Sequence, residues 1–331
     1  MLLPLLALLA CTDKDLTDDS TPQEQWTVLG SNLPGGLLSI YATDTSNVWT
    51  VGGDLGSGPL VLHYDGASWE QIDTGSSGDL WWVWGDGADL WMVGGESRVL
   101  TRHADGSITE QDLGMPNITL FGIWGSGPTD IWTVGGDINV AHDGAHAWHF
   151  DGSAWTEVEL PASAAAKVAM YKVWGTGPND AWIVGGEGTI LHWDGSSWEG
   201  NGASSERTLF TVSGDDQGVY AVGGSISATI LRFDGSAWQD ETPPLANQQN
   251  GVSARSGCDP ASVGTGGSVF SRTDAGWTAD SRAPGTYFDL HGVWVDPDCA
   301  IWAVGGAITS FPLSQGVLLY GGGQDIAPIA L

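Results

Sequence analysis

Residues 173–198 read VWGTGPNDAWIVGGEGTILHWDGSSW, and this stretch decides the fold. Trp, Val and Ile concentrate in three short segments: one ends at Trp174-Gly175, the others cover 181–184 and 189–193. Residues of these types suit a pleated, half-buried surface. Between the segments stand Gly177-Pro178-Asn179-Asp180, Gly185-Gly186 and Asp194-Gly195, where chain reversal needs a positive or a preset φ. Trp198 opens a fourth segment. One four-stranded sheet is too small to bury both of its faces, so such a unit must be repeated to be stable.

The rest of the chain supplies the repeats. Val-Gly-Gly recurs at Val51, Val93, Val134, Val184, Val222 and Val304, with a degraded Val-Gly-Thr-Gly-Gly at Val263. The steps between copies are 42, 41, 50, 38, 41 and 41 residues, the period of a propeller blade. Two residues before the copies stand Trp49, Trp91, Trp132, Trp182, Tyr220 and Trp302, with Ala261 in the degraded one. Asp-Gly turns follow at Asp65, Asp105, Asp151, Asp194 and Asp234, and Asp274-Ala275 is a variant. Just after them come Trp69, Trp155, Trp198, Trp238 and Trp277, with Thr109 in the second copy. The expectation is an all-β chain: a seven-bladed β-propeller of four-stranded blades over residues 26–323. The seventh copy, 287–323, lacks a clear fourth strand, and Gln25-Trp26-Thr27-Val28 matches Trp69-Glu70-Gln71-Ile72. N-terminal strand pairing in the last blade would close the ring and remove an open sheet edge. The competing source of that strand is 325–331, within a C-terminal tail of 324–331.

The 331 residues include 50 Gly, 19 Trp and only 10 Lys plus Arg, for a formal net charge of -30. A phosphate-binding face needs clustered cations, so nucleic acid and an anionic membrane surface are excluded as partners. Residues 1–10 are almost wholly apolar and precede Cys11. Ten residues are too few for the roughly 20 of a membrane-spanning helix, but they suit the core of a secretory signal. Leu8-Leu9-Ala10-Cys11 resembles a bacterial lipobox, in which the Cys is lipidated; the lack of Lys or Arg before the apolar run departs from that pattern. Residues 1–11 are therefore expected to be a signal peptide with its lipidation site at Cys11. Residues 12–25, with Asp13, Asp15, Asp18, Asp19 and Glu24, are expected to be an acidic disordered tether. The expected location is the bacterial cell envelope, with the membrane touched only through the lipid, or alternatively the medium. The chain is expected to be a monomer.

In a blade, the loops joining strands two and three share a face with the blade-to-blade connections. Insertions fall on that face at 54–59, 137–147 and 160–169, and variable loops on a rigid scaffold are where binding sites are usually built. The candidate partner contacts are Asp137, Asn139, His142, Asp143, His146, Trp148 and Tyr171. His142, Asp143, His146 and His149 could also hold a divalent cation, the one cofactor the sequence suggests, although a solvated polar loop explains them as well. The Asp of each Asp-Gly turn is expected to cap its own turn. The residues two positions before it (His63, His103, His149, His192, Arg232, Arg272) are expected to tie their own blades together. Cys258 and Cys299 occupy one position in blades six and seven and are a candidate disulfide in an oxidising compartment.

These units, Trp-x-Val-Gly-Gly followed by His-x-Asp-Gly-x-x-Trp, resemble repeats of bacterial exported propellers found in lipoproteins, and more loosely the Asp-box (BNR) and Ycf48-like families. The resemblance covers Trp26 to about Tyr320. Its Asp, Gly and Trp stand one residue closer than in an Asp-box, and the arginine triad of Asp-box sialidases has no counterpart among the seven Arg. The resemblance implies a non-enzymatic binding or scaffold module with a protein or glycan partner. The alternatives are a cation-dependent adhesion module and a glycan-acting hydrolase or lyase, which would need paired carboxylates in a cleft.

Overall fold

The computed structural model describes residues 26–331 apart from 141, 143, 203–205 and 284. Cys11, the expected signal and tether, and Asp143 lie outside the described residues. Seven antiparallel sheets of four strands follow one another in chain order. Their inner strands are Leu37–Asp44, Leu80–Gly85, Thr119–Gly127, Met170–Gly177, Leu209–Asp215, Gln249–Ser253 and Asp289–Val295. The chain is a seven-bladed β-propeller.

Closure follows the sequence expectation. Trp26–Leu33 is the outer strand of the last blade and pairs antiparallel with Ser314–Gly321, Trp26 opposite Gly321 and Thr27 opposite Tyr320. Trp26 Nε1 also donates to Asp280 Oδ2 of blade six at 3.1 Å. Residues 324–331 add no strand, so the competing closure is excluded. They run across the seam instead: Ile329 N donates to Leu29 O at 2.7 Å, Trp69 Nε1 donates to Ala327 O at 3.0 Å, and Ile326 is buried in a cluster with Leu29 and Trp69.

The core lies between blades. Trp49, Val51 and Val61 of the first blade pack with Leu80, Val83, Met92 and Leu100 of the second, and similar clusters recur around the ring. Each large apolar side chain so removed from water contributes roughly 1.5–3 kcal/mol.

The axial seams are of two kinds. Around the first half of the ring, an aromatic of one inner strand lies over a glycine of the next. A Cβ on Gly85 would meet Tyr41 at 3.0 Å, on Gly125 Trp84 at 2.8 Å, on Gly175 Trp124 at 2.7 Å, and on Gly214 Trp174 at 2.6 Å. Further round, the equivalent positions are Ser213 and Ser253, whose hydroxyls accept from Ala254 N and Val295 N, each at 3.1 Å.

The outer part of each blade is held by the repeat's polar residues. His63, His149 and His192 lie against Trp49, Trp132 and Trp182, with ring centroids 3.9, 4.4 and 4.2 Å apart. The same rings reach the turn between strands one and two: His63 Nε2 is 2.9 Å from Asn47 Oδ1, His149 Nε2 2.6 Å from Asp130 Oδ1, and His192 Nε2 2.7 Å from Asp180 Oδ1. His103 meets Asp89 at 2.8 Å in the second blade. Against that same turn, each Asp-Gly carboxylate closes a turn of its own. Asp194 Oδ1 accepts from Ser196 N, Ser197 N and the Ser196 hydroxyl. Asp151 and Asp234 do the same. Donation first from the neighbouring serine hydroxyl, then from backbone N–H groups, holds these three carboxyls down to about 2.

Candidate functional site: an aromatic bowl at the axial mouth

Every blade repeats one irregularity. The pairing of inner and second strands slips between Leu37 and Ser39, Leu80 and Trp82, Leu120 and Gly122, Met170 and Lys172, Leu209 and Thr211, Gln249 and Gly251, and Leu290 and Gly292. The residue skipped in each case is Leu38, Trp81, Phe121, Tyr171, Phe210, Asn250 or His291. A bulge re-aims a side chain out of the pleat, and here it aims seven of them at the propeller axis. All but Leu38 line a cavity of about 360 Å³, with Lys172, Gln248, Ile138, Ile308 and Thr309 completing its wall. Because inner strands of six blades contribute, the cavity is the mouth of the axial channel. Its position at their N-terminal ends puts it on the face that carries the insertions.

The ring of seven is not symmetric. Trp81, Phe121, Tyr171 and Phe210 form a continuous aromatic arc, with successive centroids 5.1, 5.2 and 5.5 Å apart. Such tilted and edge-on contacts are the preferred aromatic geometry. The opposite wall is polar. Asn250 Nδ2 donates to Leu290 O at 2.8 Å, and Gln248 Nε2 donates to Asn250 Oδ1 at 2.8 Å. His291 joins the two arcs, 5.9 Å from Trp81, with Nδ1 2.6 Å from Leu38 O. That contact fixes the proton on Nδ1 and leaves Nε2 as an acceptor. Burial first, then the charge of Lys172, holds the His291 imidazole down to about 4.

Lys172 forms the floor. It is 3% exposed, donates to Phe121 O at 3.1 Å, and places Nζ over the Trp82 ring, 2.8 Å from its centroid. Burial pushes its amine well below the ordinary lysine value, and it raises the Tyr171 phenol. The lining contains no carboxylate.

The surface around the bowl is apolar in an unusual way. Among the described residues, nine large hydrophobic side chains are exposed, and seven of them (Leu55, Ile138, Val140, Ile226, Leu245, Tyr287, Phe311) lie in loops of this one face. Leu245 and Tyr287 are fully exposed.

The residues expected from the sequence divide. Tyr171 lies in the bowl, and Asp137 and Asn139 flank Ile138 on its rim. The two insertions meet, with Gly144 N donating to Lys167 O at 2.9 Å, and the second folds a short helix, Ala162–Ala165. The first insertion is shorter than expected, because Ala145–Phe150 is already strand. Strand parity there corrects two expectations. Trp148 is 3% exposed, in the core with Leu120 and Ile131, and is no partner contact. His146 and His149 stand three apart in the strand and so point to opposite faces, His146 to Glu157 at 2.7 Å and His149 to Asp130. They cannot share an ion, and His142 is left in the exposed loop. Among the described residues no group of His, Cys, Asp and Glu could hold a metal ion. Cys258 and Cys299 are joined as a disulfide, Cα–Cα 5.2 Å, linking blades six and seven. Sequence reasoning missed Trp81, Phe121, Phe210, Lys172 and His291. The available signal was the residue after Leu80, Leu120, Met170, Leu209 and Leu290 in the aligned copies, which is Trp, Phe, Tyr, Phe and His in turn; Lys172 carries no such signal.

No protein-family model and no curated protein matches this chain. Solved structures similar to it are propellers. Catalytically inactive virginiamycin B lyase from Staphylococcus aureus with quinupristin superposes with a TM-score of 0.69 at 15% identity, covering 89% of this chain and 99% of that one. The WD40 propeller domain of Doa1 gives 0.67 at 10% identity, covering 92% and 99%. Ycf48 from Cyanidioschyzon merolae gives 0.64 at 15%, covering 91% and 100%. At these identities the likeness shows the fold alone, and it spans lyase and non-enzymatic propellers.

Proposed function

We propose that this protein is an exported, lipid-anchored, non-enzymatic binding module that presents the mouth face of its propeller to a protein or glycan partner. The observation that carries the reading is the asymmetry of the two faces. The Asp-Gly face satisfies its own polar groups turn by turn, while seven exposed apolar side chains surround an aromatic bowl on the other. Apolar side chains exposed on one face around an apolar, aromatic-lined pocket support an interaction site there. The lipobox-like Leu8-Leu9-Ala10-Cys11 supports export and anchoring. A hydrolase or lyase is less well supported, since the bowl's lining has no pair of carboxylates.

The test compares capture from envelope extract by the wild-type chain, by a triple variant Leu245→Ser/Tyr287→Ser/Phe311→Ser, and by Ala67→Lys on the opposite face. The mouth-face variant is expected to lose partners that Ala67→Lys retains. Equal capture by all three would refute the reading.

A further inference from the structure

The bowl is more specialised than a docking face requires. Among the described residues, Lys172 and Asp296 are the only charged residues buried as a whole, and their situations differ. Asp296 is saturated, accepting from Asp298 N, Ala300 N and Trp302 Nε1 at 2.9, 2.8 and 3.0 Å. An ammonium has three N–H donors, and Lys172 gives one to Phe121 O and faces the Trp82 ring with no carboxylate partner. Burying a charge is costly unless it is paired. The titratable groups that face it across the bowl are His291 and Tyr171, of which His291 is basic and directs Nε2 away from its carbonyl contact. A chain with a net charge of -30 thus keeps two basic groups, and no acidic one, at the bottom of a cavity walled by four aromatic rings. A cation would find no counter-charge there, and an uncharged ring would leave the lysine incompletely paired.

We propose that the bowl binds a small aromatic carboxylic acid, its ring against the arc of Trp81, Phe121, Tyr171 and Phe210 and its carboxylate on the Lys172 amine. A volume of about 360 Å³ lies at the lower end of small-molecule sites, which suits one or two rings. Formation of the ion pair recharges the lysine, so binding takes up a proton. The proposal rests on the mouth being the binding face, and names what occupies its centre.

Full-length protein is titrated calorimetrically at pH 8 with benzoate and indole-3-acetate, and with benzamide as the uncharged counterpart, in two buffers of different ionisation enthalpy. The acids are expected to bind at least about tenfold more tightly than benzamide, with about one proton taken up per site. Lys172→Met is expected to abolish both the preference for the acid and the proton uptake. Phe210→Ala is expected to weaken acid and amide together. Equal affinity for benzoate and benzamide in the wild type, or binding without proton uptake, overturns the proposal whatever the variants do. So does the absence of any binding, and in that case continued loss of partner capture by the Leu245/Tyr287/Phe311 variant would leave the docking reading intact.

Discussion

The two halves of the ring fold from one repeat but are sealed by different chemistry. From blade one to blade five, each seam is a tyrosine or tryptophan lying over a glycine, at distances that leave no room for a Cβ. From blade five to blade seven the aromatics give way to Ser213 and Ser253, and the facing residues are Ala254 and Val295, which offer backbone N–H groups. The second half adds polar and covalent links. Arg272 forms a bidentate pair with Glu241 at 2.7 and 2.9 Å, and the Cys258–Cys299 disulfide joins blades six and seven. The lesson is that the blade-to-blade distance is fixed by geometry, while the means of filling it is free. The mouth follows the same division, with aromatics on blades two to five and amide and imidazole on six and seven.

The difference is open to direct attack. Trp124→Ala should cost about 2–3 kcal/mol, less than truncation of a fully buried aromatic because the ring is only partly buried, while Ser213→Ala should cost about 1 kcal/mol, one hydrogen bond. Denaturant unfolding of the two variants decides this, and equal losses would erase the distinction between the halves. The covalent clamp comes next. It spans 41 residues, for which chain entropy gives about 4 kcal/mol as an upper figure. Cys258→Ala/Cys299→Ala should therefore lower stability markedly, and reductant should lower the wild type but leave the double variant unchanged.

A smaller effect belongs to Lys172. Its folded-state pKa is lowered, so the unfolded chain binds more protons and stability rises with pH until the unfolded lysine itself deprotonates. The slope is at most about 1.4 kcal/mol per pH unit. Lys172→Met should remove that slope between neutral pH and about pH 10, where lysine titrates when unfolded. Matching slopes in the two proteins would contradict a buried amine. The smallest effect is one in which the halves should agree. Asp194 in blade four and Asp234 in blade five make the same turn, with folded carboxyls held at about 2. Their stabilisation is complete above the unfolded carboxylate value and is lost as pH falls towards about 2. Asp194→Asn and Asp234→Asn should each shift the acid unfolding midpoint slightly and equally.

Much of this molecule could be read from its sequence, because its fold depends on local signals repeated seven times. Asp-Gly turns, Val-Gly-Gly strand ends and the second-strand tryptophans each obey short-range rules. Trp26 betrayed the closure by matching Trp69. The site was harder to see. Trp81, Phe121 and Phe210 look like ordinary strand residues, and only the bulge, a matter of register between strands, turns them to the axis. Parity misled in the third blade: Trp148 and His146 follow an insertion, and where the strand resumes decides which faces inward. Lys172 is one position past its bulge, so its burial depends on packing from blades two and three. Only Tyr171 was picked out in advance, through its place after an insertion.

The closing strand has a mechanical consequence. A load applied on the N-terminal side of Trp26 enters the domain at the edge of the last blade, where the pairing begins at Trp26 opposite Gly321. Ladder bonds pulled from one end break in succession rather than together, so this edge would be the weak point of a tethered ring. Three fastenings oppose such peeling: the Trp26 indole on Asp280, the Ile329 amide on Leu29, and the Trp69 indole on Ala327. Residues 326–329 thus act as a latch on the first strand, so a pull entering through Trp26 is opposed from the far end of the sequence.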